Sequence, residues 1–246
     1  MSHKHSLTFA SLLLTSTGLV YADRVNGPNP YAAGYGFDTP SEANWGGWNR
    51  GDAGTLYAEW DSFSDASHGT ATDRTSAPGV GSSGTTGAYL SWNAGTFAAG
   101  SGNLYSFSVP EVFQVNLTGT TGSAPLRVAL QVEDWGTPLD TANVRLNGTA
   151  PTSSGVTYFE SPYASSFGPV DLNQRLFLWD LPSATTSFQF DFSSVEHSLS
   201  LAQVAVDIGS VPVSAVPVPA AVWLFGSALA GMGIIGRRRQ PGRLAA

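Results

Sequence analysis

Apolar and polar residues alternate in short runs along most of this chain, and the runs predict strands. Leu126, Val128, Leu130 and Val132 share one parity, while Arg127, Gln131 and Glu133 share the other. A period of two marks a half-buried strand. Phe188, Phe190 and Phe192 repeat the pattern against Gln189 and Asp191, and Phe113, Val115 and Leu117 form a third set. Tyr105, Phe107 and Val109 form a fourth, stopped by Pro110, which has no N–H to give a ladder. Residues 55–62, 86–92, 143–146, 156–160 and 175–180 are further candidates. In the last run Leu199 and Leu201 lie on one parity, and Val204, Val206 and Ile208 on the other. This switch predicts a bulge near Ala202-Gln203.

About ten strands, with turn residues between them and no amphipathic helix of useful length, predict an all-β fold. A single β-sandwich, jelly-roll-like, is the first expectation for residues 55–210, and an open barrel is the second. Residues 23–54 are rich in Gly, Pro, Asn and aromatics. They are read as an irregular leading segment that wraps the domain or adds an edge strand. Residues 65–87, dominated by Gly, Ser, Thr and Ala, are read as a loop.

The two ends have a different character. Residues 1–22 combine Lys4, an apolar stretch interrupted by Ser and Thr, and Val20-Tyr21-Ala22. They predict a secretory signal peptide cut before Asp23. Residues 211–219 form a Pro/Val linker. Residues 220–235 carry no charge, and residues 236–246 are basic. As a helix, 220–235 spans about 24 Å against a hydrocarbon core of about 30 Å. It is read as a single C-terminal transmembrane helix, with Trp223 near its outer end and Arg237, Arg238 and Arg239 held in the cytoplasm.

Val216-Pro217-Val218-Pro219, the apolar run, and then Gly236 with Arg237, Arg238 and Arg239 together resemble the PEP-CTERM sorting signal of bacterial surface proteins. One position departs from the family pattern: Val218 stands where the family name has Glu. The resemblance covers about a tenth of the chain, with three features in the right order. It implies an exosortase as partner, a membrane enzyme that cuts near the proline motif. It also implies a Gram-negative, exopolysaccharide-producing cell. The precursor would sit transiently in the inner membrane through 220–235, and the product would lie on the cell surface or in the extracellular matrix.

Charge narrows the options. Between Asp23 and Asp207 there are eighteen acidic and six basic residues, a net charge of −12, with no lysine. Nucleic-acid binding requires a basic face, and this piece has none. The acidity favours solubility and attraction of divalent cations. The absence of cysteine excludes thiol catalysis, thiolate metal sites and disulfides. About 190 residues are enough to build a core without them.

Candidate chemistry is sparse. Gly79-Val-Gly-Ser-Ser-Gly84 matches a dinucleotide fingerprint in letters only, because no strand precedes it and no helix follows. Asp61, Asp65 and His68, and separately Glu133, Asp134 and Asp140, are candidate carboxylate clusters. Neither has the EF-hand spacing, so calcium is kept open with no site assigned, and no other cofactor is expected. His68 and His197 are the only histidines of the exported piece, and no nucleophile elbow or zinc-type histidine motif occurs. No catalytic residue is assigned, and the chain is read as a non-enzyme. Six tryptophans remain between 23 and 215. Trp135, in the loop-like Glu-Asp-Trp-Gly-Thr-Pro, is the first candidate for stacking on a sugar, followed by Trp45 and Trp48. The alternative is that these rings fill the core and seal the sandwich.

The functional expectation is an exported surface or matrix protein, structural or adhesive within extracellular polysaccharide. A carbohydrate-binding module is the second reading. A carboxylate-dependent glycan hydrolase is the third, since its two carboxylates leave no sequence signature.

Overall fold

The structure, a computed structural model, describes residues 27–63, 75–76 and 86–212. The signal peptide, Asp65, His68, the glycine loop 79–84 and the sorting residues Val216–Pro219 lie outside these residues. So do the apolar run 220–235 and Arg237–Arg239. Among the described residues, no helix is long and apolar enough to cross a membrane. The chain divides into two compact units, Met1–Val211 and Pro212–Ala246, and the fold below belongs to the first.

Twelve strands are present among the described residues. In order they are β1 (Leu56–Trp60), β2 (Thr75–Ser76), β3 (Thr86–Trp92), β4 (Phe97–Ala98), β5 (Leu104–Tyr105) and β6 (Val112–Thr118), followed by β7 (Leu126–Gly136), β8 (Arg145–Leu146), β9 (Ser153–Ser165), β10 (Gly168–Leu181), β11 (Ser187–Ser193) and β12 (Leu199–Ser210). A 3-10 turn, Thr141–Asn143, is the one helical element among them. Two antiparallel sheets result. The first runs β4-β5-β12-β7-β10-β9, with β1 also paired to β12, and the second runs β2-β3-β6-β11-β8.

The period-two faces meet in one core. Leu126, Val128, Leu130 and Val132 of β7 face Phe113, Val115 and Leu117 of β6 and Phe188, Phe190 and Phe192 of β11, all essentially inaccessible. Trp179 of β10 meets Phe190 edge-on, with ring centroids 5.7 Å apart. The sheets therefore form a β-sandwich closed by aromatic contacts. The expected bulge is present: the register of β12 on β7 shifts between Leu201 and Gln203. The extra residue flips the parity, so Leu199 and Leu201 on one side of it and Val204, Val206 and Ile208 on the other all reach the core.

Two local expectations are corrected. Residues 65–87 are not loop throughout, because Thr75-Ser76 pairs with Ser91 and Leu90, and β3 begins at Thr86. Residues 105–109 do not form a strand beyond Tyr105. The Ser106 hydroxyl accepts N–H groups from Ser108 and Val109 at 3.3 and 3.1 Å. This local turn competes with extended pairing and leaves Phe107 exposed.

The polar face of the first sheet differs most from a simple sandwich. Gln131 and Glu133 do point away from the core, yet both are buried, as is Asp207. The leading segment covers them. Its described residues, 27–54, contain turns and no strand, and they are bound by side chains of the sheet. Gly36 N–H donates to Gln174 Oε1 at 2.5 Å. Gln131 clasps the backbone of Asp38, accepting its N–H at 2.8 Å and donating to its carbonyl at 2.9 Å. Arg50 donates to both oxygens of Asp207 at 2.7 Å, and its guanidinium lies 3.8 Å from the Tyr57 ring centroid. Trp48 lies flat on β12 at Gly209, where any Cβ would collide with the indole. The segment is a third layer over the sheet.

Candidate functional site

Gly27, the first described residue of the leading segment, lies against Glu133 and Trp135, where a Cβ would meet both side chains. Beside it lies the row Tyr105–Ser200–Trp135, set by the pairing of β5 and β7 on either side of β12. A cleft of about 290 Å³ opens over this row. Its floor is Asn103, Tyr105, Trp135 and Ser200, and one wall is Gly136, Thr137 and Ser198. The other wall is Val170 and the β9–β10 hairpin tip, Ser165 to Phe167. Gly168 (φ +106°) and the Ser165 hydroxyl, donating to the Gly168 carbonyl at 2.7 Å, shape that tip.

Aromatic rings dominate the cleft. Phe167, 74 % exposed, stacks on Tyr105 at 5.7 Å with an interplanar angle of 11°. Phe107 packs edge-on against Tyr105 at 4.8 Å and stacks on Phe97 at 5.7 Å. Trp135 is half-buried and lies 5.0 Å from Tyr163. Exposed rings held this closely cannot bury one another fully, and they present broad apolar surface to solvent.

Polar groups between the rings are held in place. Asn103 Nδ2 donates to Ser200 Oγ at 2.7 Å, which leaves the Ser200 proton available to a bound molecule. Asn103 Oδ1 is buried without a partner. Glu133 Oε1 accepts from Trp135 Nε1 at 2.9 Å, and Glu133 Oε2 accepts from Gln174 Nε2 at 2.7 Å. Burial pushes the Glu133 carboxyl up to about 7. On the opposite wall, Glu111 ties the loops together. It accepts N–H groups of Ser106 and Ser198 at 2.9 and 3.1 Å and the Ser194 hydroxyl at 2.7 Å. Burial raises its pKa as well. Ser198 adopts φ +76°, and its hydroxyl lies 2.8 Å from Nδ1 of exposed His197.

The three tryptophans singled out as sugar-stacking candidates are placed very differently. Trp135 reaches the cleft, although it lies within β7 rather than in a loop. Trp45 and Trp48 are 5 % and 7 % exposed, so neither offers a face to a ligand. The leading segment has folded them onto the sheet. The carboxylate cluster at 133–140 does not form. Glu133 and Asp134 point to opposite faces of β7. Asp134 binds Arg175 at 3.0 Å and Asn173 at 3.3 Å. Asp140 caps the 3-10 turn through the Ala142 N–H. Among the described residues, no group of three metal-ligating side chains converges.

Sequence reasoning missed Asn103, Phe167, Ser198 and Ser200 and assigned Tyr105 to the core. Phe167 left a signal, as a large aromatic in Ser-Ser-Phe-Gly between two alternating runs. The serines left none. A larger hollow of about 680 Å³ lies between 51–55, 118–120 and 186–187. It is open and contains no aromatic ring, so it lacks the means to hold a ligand by stacking.

Compared with protein families, with curated proteins and with solved structures, the chain matches none.

Proposed function

We propose that this chain is an exported surface or matrix protein that adheres to polysaccharide through the Tyr105–Trp135–Phe167 cleft. The observation that carries the reading is the cleft itself. Three aromatic side chains and a set of hydroxyl and amide groups line a concavity near the size at which small-molecule sites begin. Sugar rings have apolar C–H faces that stack on aromatics and hydroxyls that exchange hydrogen bonds with Ser, Thr and Asn. The resemblance of residues 216–239 to a sorting signal supports delivery to the cell exterior, where such a ligand is found. The strand order supports a jelly-roll-derived sandwich. In β1-β12-β7-β10 and in β6-β11-β8, early and late strands interleave as in paired Greek keys.

The test is a titration of the purified domain with the producing cell's own exopolysaccharide, read by tryptophan emission and by retardation in a polysaccharide-containing gel. The expected result is retardation and an emission change, both reduced at least tenfold in Phe167→Ala. Retardation unchanged in that variant would remove the cleft from the function. Delivery is tested separately by intact mass and location in cells with and without the exosortase. A full-length product in the inner membrane of wild-type cells would overturn the sorting reading.

A further inference from the structure

The charge distribution around the cleft narrows the glycan class. Among the described residues, its lining carries no carboxylate and no basic side chain. Recognition of a uronate or sulfated sugar relies on Arg or Lys, Arg above all for its two-pronged geometry. Residues 23–207 contain no lysine. Each described arginine is already engaged elsewhere. Arg50 is clamped to Asp207, Arg127 to Asp180, and Arg175 to Asp134. Arg145 donates to the carbonyls of Ala142 and Val144. The titratable groups directly behind the cleft are carboxyls: Glu133 beneath Trp135, and Glu111 behind Ser198.

Resting on the glycan-binding reading above, we infer that the cleft selects neutral sugars and excludes anionic ones. An acidic polymer approaching a domain of net charge −12 meets repulsion at a distance and, among the described residues, no compensating cation on arrival. A neutral pyranose loses nothing electrostatically. It gains the rings of Tyr105, Trp135 and Phe167 and the proton of Ser200. An adhesin of this kind attaches to the neutral stretches of a matrix and leaves the acidic stretches unoccupied.

Calorimetric titration at pH 8 tests this on the domain within the full exported chain. The probes are neutral hexaoses of glucose, galactose, mannose and xylose, and hexaoses of galacturonate and mannuronate. The expected outcome is binding of at least one neutral hexaose, weakened tenfold or more in Phe167→Ala, with no uronate binding that depends on Phe167. A companion variant, Ser166→Arg on the exposed hairpin tip, is expected to admit a uronate hexaose with at least fivefold gain over wild type. Uronate binding by the wild type that is lost in Phe167→Ala would overturn the selectivity while leaving the glycan-binding cleft standing. Binding of neither class would overturn both.

Discussion

Arg50 and Asp207, 157 residues apart in sequence, form a two-pronged ion pair with both contacts at 2.7 Å. It joins the leading segment to the last strand, and Glu59 lies 3.6 Å away. Burial works against the Arg50 charge, but the hydrogen bonds and charge of Asp207 hold its pKa above the ordinary value. Breaking one side of a buried pair leaves a lone charge and costs about 3–5 kcal/mol. Arg50→Ala is therefore expected to destabilise the domain by that amount in urea denaturation. It should also open 27–54 to limited proteolysis while β7 and β12 stay protected. Wild-type resistance in that segment would show that the pair does not secure the layer.

Buried acids on both faces of the first sheet predict an unusual pH profile. Burial raises Glu59 and Glu133 to about 7 and Asp134 to about 6. An acid with a raised folded-state pKa binds its proton more tightly in the folded protein. Its stabilising contribution is complete below the unfolded value and is lost as pH rises through the folded one. Stability is expected to fall between about pH 4.5 and 7.5. In a domain of this size each 1 kcal/mol moves Tm by roughly 2–4 °C, so melting should be several degrees lower at pH 8 than at pH 5. Glu59→Gln should flatten the slope. The lowered pKa of Glu42 acts in the opposite sense, and only below about pH 4.5. A Tm that rises from pH 5 to 8 would contradict these assignments.

Gly209 and Trp48 provide a steric test. A methyl group at Gly209 would occupy the space of the indole. Overpacking of this kind costs about 1–3 kcal/mol. Gly209→Ala should lower stability within that range and alter the near-ultraviolet circular dichroism, because Trp48 must move. An unchanged spectrum would mean that the ring does not rest on β12.

Glu111 should matter to the cleft without touching a ligand. Its carboxylate holds the N–H groups of Ser106 and Ser198. Glu111→Ala leaves the buried Ser106 N–H unpaired, at about 1–3 kcal/mol, whereas the Ser198 N–H keeps the Ser106 carbonyl at 3.0 Å. The expected result is a less stable domain whose sugar affinity falls at temperatures well below its Tm. Glu111→Gln, which keeps one acceptor, should restore part of both. Equal affinity in all three proteins would make Glu111 purely structural.

The sequence by itself determined where the long central strands run, which parity faces the core, and that β12 must contain a bulge, but not the short strands β2, β4 and β5. These are local properties: a run of alternating residues has only one way to bury its apolar half. Composition also removed thiol chemistry and nucleic acid from consideration. Tertiary structure decided what covers the other half. Gln131, Glu133 and Asp207 read as solvent-facing in a strand pattern, and Trp45 and Trp48 read as available rings. Each changed its meaning when residues 27–54 lay down on the sheet. No period or motif marks that contact, because it is made by hydrogen bonds and ion pairs between positions 93 to 157 residues apart. The same holds for the cleft. Tyr105, Trp135, Phe167 and Ser200 come from four separate stretches of chain. Only the pairing of β5 and β7 with β12, and the reach of the β9–β10 hairpin, bring them together.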